Sequence, residues 1–192
     1  MNEIADRYRR HADAFEAKVA AVRSDQWTNP SPCEKWDARD VVDHIVVMHG
    51  YMLRPIGWSL PPTVGDPVTD FRAARAVVEE VLADPELSGQ EADTPTGRMT
   101  VAEQIDRVVS DDLVLHGWDL ARATGQDEVM DPADVERLWA STSAIPPEVM
   151  ESYRTPGAFG PDVEVFGPEV AVPEDAPLQD RLLGLIGRNP RA

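Results

Sequence analysis

An all-α fold, a bundle of helices, is what this sequence predicts, and three stretches carry the prediction. Ile4, Tyr8, Ala12, Phe15, Val19 and Val22 keep a four-four-three-four-three rhythm, the single apolar stripe of a core-facing helix. Residues 41–53 are apolar nearly all round, as a central helix is. Residues 101–124 open on a strong start signal and meet no helix breaker except Gly117 before Gly125.

Composition sets the limits. The 192 residues predict one domain over 1–192, long enough to bury a core without disulfides. A 42% hydrophobic content with five Trp is globular, while 17 Pro and 12 Gly predict long loops. The net charge is −17, from 35 acidic against 18 basic residues, a field that repels phosphate backbones and anionic lipid. Nucleic-acid and membrane-surface binding are therefore not expected. Cys33 is the only cysteine, which excludes an intrachain disulfide and fits a reducing compartment. The charged, amphipathic N-terminus lacks the apolar core of a signal peptide, and no run reaches transmembrane length, so a cytoplasmic protein is expected.

In chain order, the first helix spans 4–22, with His11 on the edge of its stripe and read as a packed, hydrogen-bonded residue. The loop 24–36 holds Asn29-Pro30-Ser31-Pro32-Cys33, whose two prolines force an extended path. Asp37 is a good N-cap for the second helix, and Asp40 favours the positive end of its dipole. His44 lies in the apolar body of that helix, where an imidazole needs a partner on each nitrogen or a metal on one. His49 is about 140° round from His44 on a regular helix and cannot join it in one site, so it is read as structural or exposed. A loop over 55–67 is too long for a simple bundle hairpin, and Trp58 within it is expected to cover a pocket or the bundle end. A third helix over 70–83 buries Phe71, Ala74, Val78, Val81 and Leu82, and 84–98 reads as a polar loop turned at Pro95-Thr96-Gly97. Thr100-Val101-Ala102-Glu103 is a capping box opening the fourth helix. Gly117 within it allows close approach of a neighbouring helix or ligand. Asp131-Pro132 starts a fifth helix to about residue 143, with Val135, Leu138 and Trp139 inward. The rest is irregular until a short amphipathic helix (Leu178, Leu182, Leu183, Ile186) that Gly187 stops.

The fourth helix also carries the chemistry. At about 100° per residue, Asp112, His116 and Asp119 fall within about 60° of one another on one side. A carboxylate and an imidazole one turn apart bring their heads together, as a pair of metal ligands does. An acid–His pair on a solvated face is the competing reading, but Leu113, Val114, Leu115 and Trp118 leave little of this helix to be wet.

Two stretches, Pro32-Cys33-Glu34-Lys35-Trp36-Asp37-Ala38-Arg39-Asp40-Val41-Val42-Asp43-His44-Ile45 and Leu115-His116-Gly117-Trp118-Asp119-Leu120-Ala121-Arg122-Ala123-Thr124-Gly125, resemble the actinobacterial metal-binding branch of the DinB/YfiT-like superfamily. That branch is related to the N-terminal domain of mycothiol-dependent maleylpyruvate isomerase. The tail from Phe166-Gly167-Pro168-Glu169 to Arg188 is similar as well. The resemblance implies a four-helix bundle with a crossover connection, here followed by an extra C-terminal helix and an irregular tail. It also implies a divalent metal held by His44, Asp112 and His116. Relatives commonly place Glu at the position of Asp112, and the isomerase carries a further C-terminal domain, so its particular substrate does not transfer.

Two imidazoles and one carboxylate make a common catalytic zinc shell with an open position; nickel or iron also accept the set. Asp119 is placed to accept the other ring N–H of His116, or to pair elsewhere. Arg122 and Trp118 are candidates for orienting a substrate, with a plain surface charge the simpler role for Arg122. The function expected on the resemblance is thiol transfer: a low-molecular-weight thiol, mycothiol, is activated on the metal for attack on a small electrophile. No catalytic side chain is assigned. A metal-dependent hydrolase and a non-catalytic metal- or ligand-binding bundle are the competing expectations. A homodimer is compatible with a smooth bundle face. Cys33 is read as a packed small residue, because eleven residues separate it from His44.

Overall fold

The computed structural model describes residues 2–94, 97–158 and 165–191. Two compact units divide the chain, Met1–Glu128 and Val129–Ala192. The fold is all-α apart from one two-stranded hairpin.

In the first unit, α1 (Glu3–Ala21) is capped by the Asn2 side chain, which accepts from the Ala5 amide. Its apolar stripe is buried from Tyr8 through Val19. Helix α2 (Ala38–Leu53) opens on a complete capping box between Asp37 and Asp40, and α3 (Pro67–Ala83) on Asp66 with Pro67 in its first turn. A short helix α4 (Pro85–Ser88) and the antiparallel strands β1 (Glu91–Thr94) and β2 (Gly97–Thr100) occupy what the sequence reads as a polar loop. Four-residue strands of polar residues carry too little alternation to be seen in advance. The fourth bundle helix is composite: α5 (Val101–Gln104), a π-turn over Ile105–Ser110, and α6 (Asp111–Thr124), ended by Gly125 at a positive φ of 68°. Helix α3 packs on both α1 and α2, and α6 packs on the same two, so the four rods form a ring in the order α1, α3, α2, α6. Helices consecutive in the chain, α1 and α2, thus stand at opposite corners of the bundle.

The π-turn is the one departure from a regular fourth helix, and it has two causes. Val101, Ile105, Val109 and Leu113 recur every four residues and are all buried. On a regular helix that spacing drifts by about 120° over three steps; a slower-winding π-turn cancels much of the drift and keeps all four inward. From α1, His11 also inserts at this point, its Nδ1–H directed at the Ser110 carbonyl (3.0 Å) and hydroxyl (2.8 Å). A side chain bonded into a helix ladder is a recognised cause of such irregularity. His11 is therefore the packed, hydrogen-bonded residue that its position predicts.

His49 is structural as well, and wholly buried rather than exposed. Its Nδ1–H donates to the Ile45 carbonyl at 2.7 Å, and its Nε2 accepts from the Tyr8 hydroxyl at 2.8 Å. Burial pushes the imidazole down to about 4, so it stays neutral at the centre of the core. Trp58 is half-buried against the main core.

In the second unit, α7 (Pro132–Ser143) packs against α9 (Leu178–Leu185), burying Val135, Leu138, Leu182, Leu183 and Ile186. Trp139 is only half-buried, with the Arg181 guanidinium stacked 4.7 Å from its ring. Helix α8 (Pro147–Tyr153) adds an element in what reads as irregular chain; Pro147 at its first position is the signal that marks it. Gly187 at φ 89° lies so close to Gly167 that an added Cβ would come within 2.6 Å of its backbone, so position 187 has no room for a side chain. No helix of the described residues is long and apolar enough to cross a membrane.

Two stability measurements follow from this packing. An added Cβ on Gly117 would sit 3.7 Å from Phe15 Cδ2 and 3.9 Å from Lys18 Cδ, ordinary contact distances. Gly117→Ala is therefore expected to stabilise the chain by up to about 1 kcal/mol in urea unfolding, through helix propensity alone. For His49, the unfolded chain binds more protons than the folded one between the ordinary value of 6.5 and about 4. Its contribution is thus fully present above 6.5 and lost as the pH falls toward 4. The stability gap between the wild type and His49→Gln should narrow by roughly 2 kcal/mol between pH 8 and pH 5.

Candidate metal centre

Helices α2 and α6 face each other, and their ionisable side chains meet between them. His44 comes from the first half of α2, and Asp112 and His116 from the first turns of α6. One ligand atom from each of the three lies within 4.8 Å of the other two. His44 Nε2 is 3.7 Å from Asp112 Oδ2, and the two imidazoles meet edge to face with centroids 4.8 Å apart. A tetrahedral ion with ligand bonds of about 2.0–2.1 Å sets its N and O ligands about 3.4 Å apart, so this donor set needs only small adjustments to close on one.

The three are unequally exposed. The side chains of His44 and Asp112 are 26% and 24% accessible, whereas His116 is buried. Access to the gap is therefore from the His44–Asp112 side. At the back, Asp119 is completely buried and accepts the Nδ1–H of His116 at 2.9 Å, which leaves Nε2 as the ring nitrogen available for a ligand. Burial alone would push His116 down. The hydrogen bonds to Asp119 and Cys33 and the charge of Asp119 outweigh it and raise the ring to about 10.

The loop before α2 closes over this corner. Asn29 donates to the Ala123 carbonyl and Gln26 to the Thr124 carbonyl, so the loop is tied to the last turn of α6. A tight turn follows, closed by Trp36 N–H donating to the Cys33 carbonyl, with Lys35 at a positive φ of 70°. It lays the Trp36 ring against both imidazoles, 4.7 Å from His44 and 5.7 Å from His116. It also brings Cys33 Sγ to 3.2 Å from Asp119 Oδ2 and 4.0 Å from His116 Nδ1. The expectation that Cys33 sits apart from the site is thereby corrected: eleven residues of chain fold back on themselves. Trp36 went unremarked as a site residue, and only its place one residue before the N-cap hinted at it.

Trp118 and Arg122 do not join this group. On a regular helix they lie about 160° and 120° round from His116. Trp118 is buried, and Arg122 stacks 5.1 Å over its ring while pairing with Glu128 at 2.9 Å.

The comparisons with known proteins fit this picture. The model of the mycothiol maleylpyruvate isomerase N-terminal domain matches residues 8–55, a stretch that contains His44 but stops before α6. Two uncharacterised proteins of Mycobacterium tuberculosis, MT0763 and Rv0738, are each 33% identical over 190 residues, covering 96% of this chain and 97% of theirs. The chain belongs to the mycothiol maleylpyruvate isomerase N-terminal domain family. No solved structure matches it. Similarity to these two relatives extends over nearly the whole chain, including the helix that supplies Asp112 and His116.

Proposed function

We propose that this member of the family binds one divalent metal ion through His44, Asp112 and His116, and that it activates a small thiol for transfer to an electrophilic carbon. Zinc is the first candidate for the ion and mycothiol for the thiol, the latter on the strength of the family. The observation that carries the reading is the convergence of two imidazoles and a carboxylate from two helices on one gap open to solvent.

Such an ion, when bound with an open position, lowers the pKa of a coordinated thiol from about 8.5 and so supplies thiolate at neutral pH. The chain's own residues set the conditions for that chemistry. Asp119 fixes the His116 ring and keeps a proton on Nδ1, so that Nε2 faces the gap. The Trp36 ring covers both imidazoles on one side and keeps water from that face. The accessible edges of His44 and Asp112 leave the remaining approach for a thiol and its reaction partner. Asp112, with its shorter arm than Glu, contributes one negative charge, so a divalent ion here keeps net positive charge for an anionic sulfur.

Elemental analysis of the purified, untagged chain tests the ligand set. His44→Ala and His116→Ala are each expected to hold at least one equivalent of metal less than the wild type; wild-type metal content in both variants would overturn it. Asp119→Asn should keep the fold but bind the metal about 10–100-fold more weakly, measured by competition with a chelator. Turnover of a small electrophile such as 1-chloro-2,4-dinitrobenzene is expected only with mycothiol and metal together. Metal-dependent turnover without any thiol would favour a hydrolase instead.

A further inference from the structure

Cys33, His116 and Asp119 form a second group whose ligand atoms all lie within 4.8 Å of one another, behind His116 and away from the gap it shares with His44. We infer that this group is a second cation position, one that takes a thiophilic divalent ion, and that the two nitrogens of His116 serve the two positions.

Geometry is the first support. An ion with bonds of about 2.3 Å to sulfur and about 2.0 Å to nitrogen and oxygen sets the S–N and S–O edges near 3.6 Å and the N–O edge near 3.4 Å. The edges here are 4.0 Å for Sγ to Nδ1, 3.2 Å for Sγ to Oδ2 and 2.9 Å for Nδ1 to Oδ2. Each differs from the ideal by about half an ångström, within the reach of small side-chain rotations. Charge is the second support. A thiolate and a carboxylate neutralise a divalent ion, which suits a place where Asp119 is fully buried and His116 nearly so. Chemistry is the third, because a thiolate beside an imidazole selects soft and borderline ions, whereas the outer trio offers no sulfur.

The exchange is balanced in protons. At present Sγ–H and Nδ1–H both point at the same carboxylate oxygen, Asp119 Oδ2. An incoming ion stands where those two protons stand. The thiol proton and the Nδ1 proton both leave to solvent, and Nε2 keeps its own proton when the outer position is empty. No oxidant or further reactant is needed.

This inference goes beyond the outer site and can stand or fall without it. The test is a Co2+ titration of the metal-free full chain, followed in the near ultraviolet for thiolate-to-cobalt charge transfer and in the visible for total binding. Two equivalents are expected in the wild type, one of them carrying the charge-transfer band. Cys33→Ser should bind one equivalent without the band, His44→Ala one equivalent with it, and His116→Ala neither at the same concentration. A wild type and a His44→Ala that both lack the band, with Cys33→Ser binding as much cobalt as the wild type, would overturn the proposal. If Cys33→Ser binds no cobalt while His44→Ala keeps the band, the inner position stands and the outer trio fails. Near-ultraviolet circular dichroism of the metal-free variants separates loss of a ligand from loss of the fold.

Discussion

Asp119 has no contact with solvent, and one of its carboxylate oxygens lies 2.9 Å from His116 Nδ1. That hydrogen bond determines which edge of the imidazole faces α2, and the rest of the site depends on it. Without it the ring would be free to turn its Nδ1 edge toward His44, and the approach of two helices would bring together side chains but not ligand atoms. The bond in turn needs a rigid α6. Leu113 and Leu120 hold the inner face of that rod, and Gly125 ends it in the left-handed conformation. The side-chain amides of Asn29 and Gln26 then donate to two of its last carbonyls, those of Ala123 and Thr124.

The π-turn over Ile105–Ser110 links the core to this geometry. Upstream of it, α5 buries Val101; downstream, α6 must bury Leu113 and Leu120 and still turn Asp112 and His116 toward α2. A regular helix would make those two requirements compete. Slower winding over six residues reconciles them, and His11 of α1 supplies the donor that engages the carbonyl of Ser110. His11 and His49 thus serve the bundle, each paired within the core, while the rings of His44 and His116 meet between α2 and α6.

Much of this was legible from residue order. Periodicity alone sets the stripe of α1, the buried body of α2 and the shared face of Asp112, His116 and Asp119, because all are local properties of a 3.6-residue repeat. The caps at Asp37 and Thr100 are equally local. What could not be read is what tertiary contacts impose. Cys33 and Trp36 reach the imidazoles because Asn29 and Gln26 pin their loop to α6, a pairing 94 and 98 residues apart that no spacing rule contains. The four-residue recurrence of Val101, Ile105, Val109 and Leu113 did hold a sign of the π-turn, but a lone irregular turn hides inside an otherwise helical pattern. Trp118 and Arg122 were placed near the site by sequence proximity to His116, whereas their angle round the helix sends them elsewhere.

The account turns on whether two helices close on one ion, and an anomalous difference map from crystals grown with Zn2+ addresses that directly. The predicted result is a peak bounded by His44, Asp112 and His116, at about 2.0–2.2 Å from one atom of each. A map with no peak there, and with His44 and Asp112 turned apart into solvent, would contradict it.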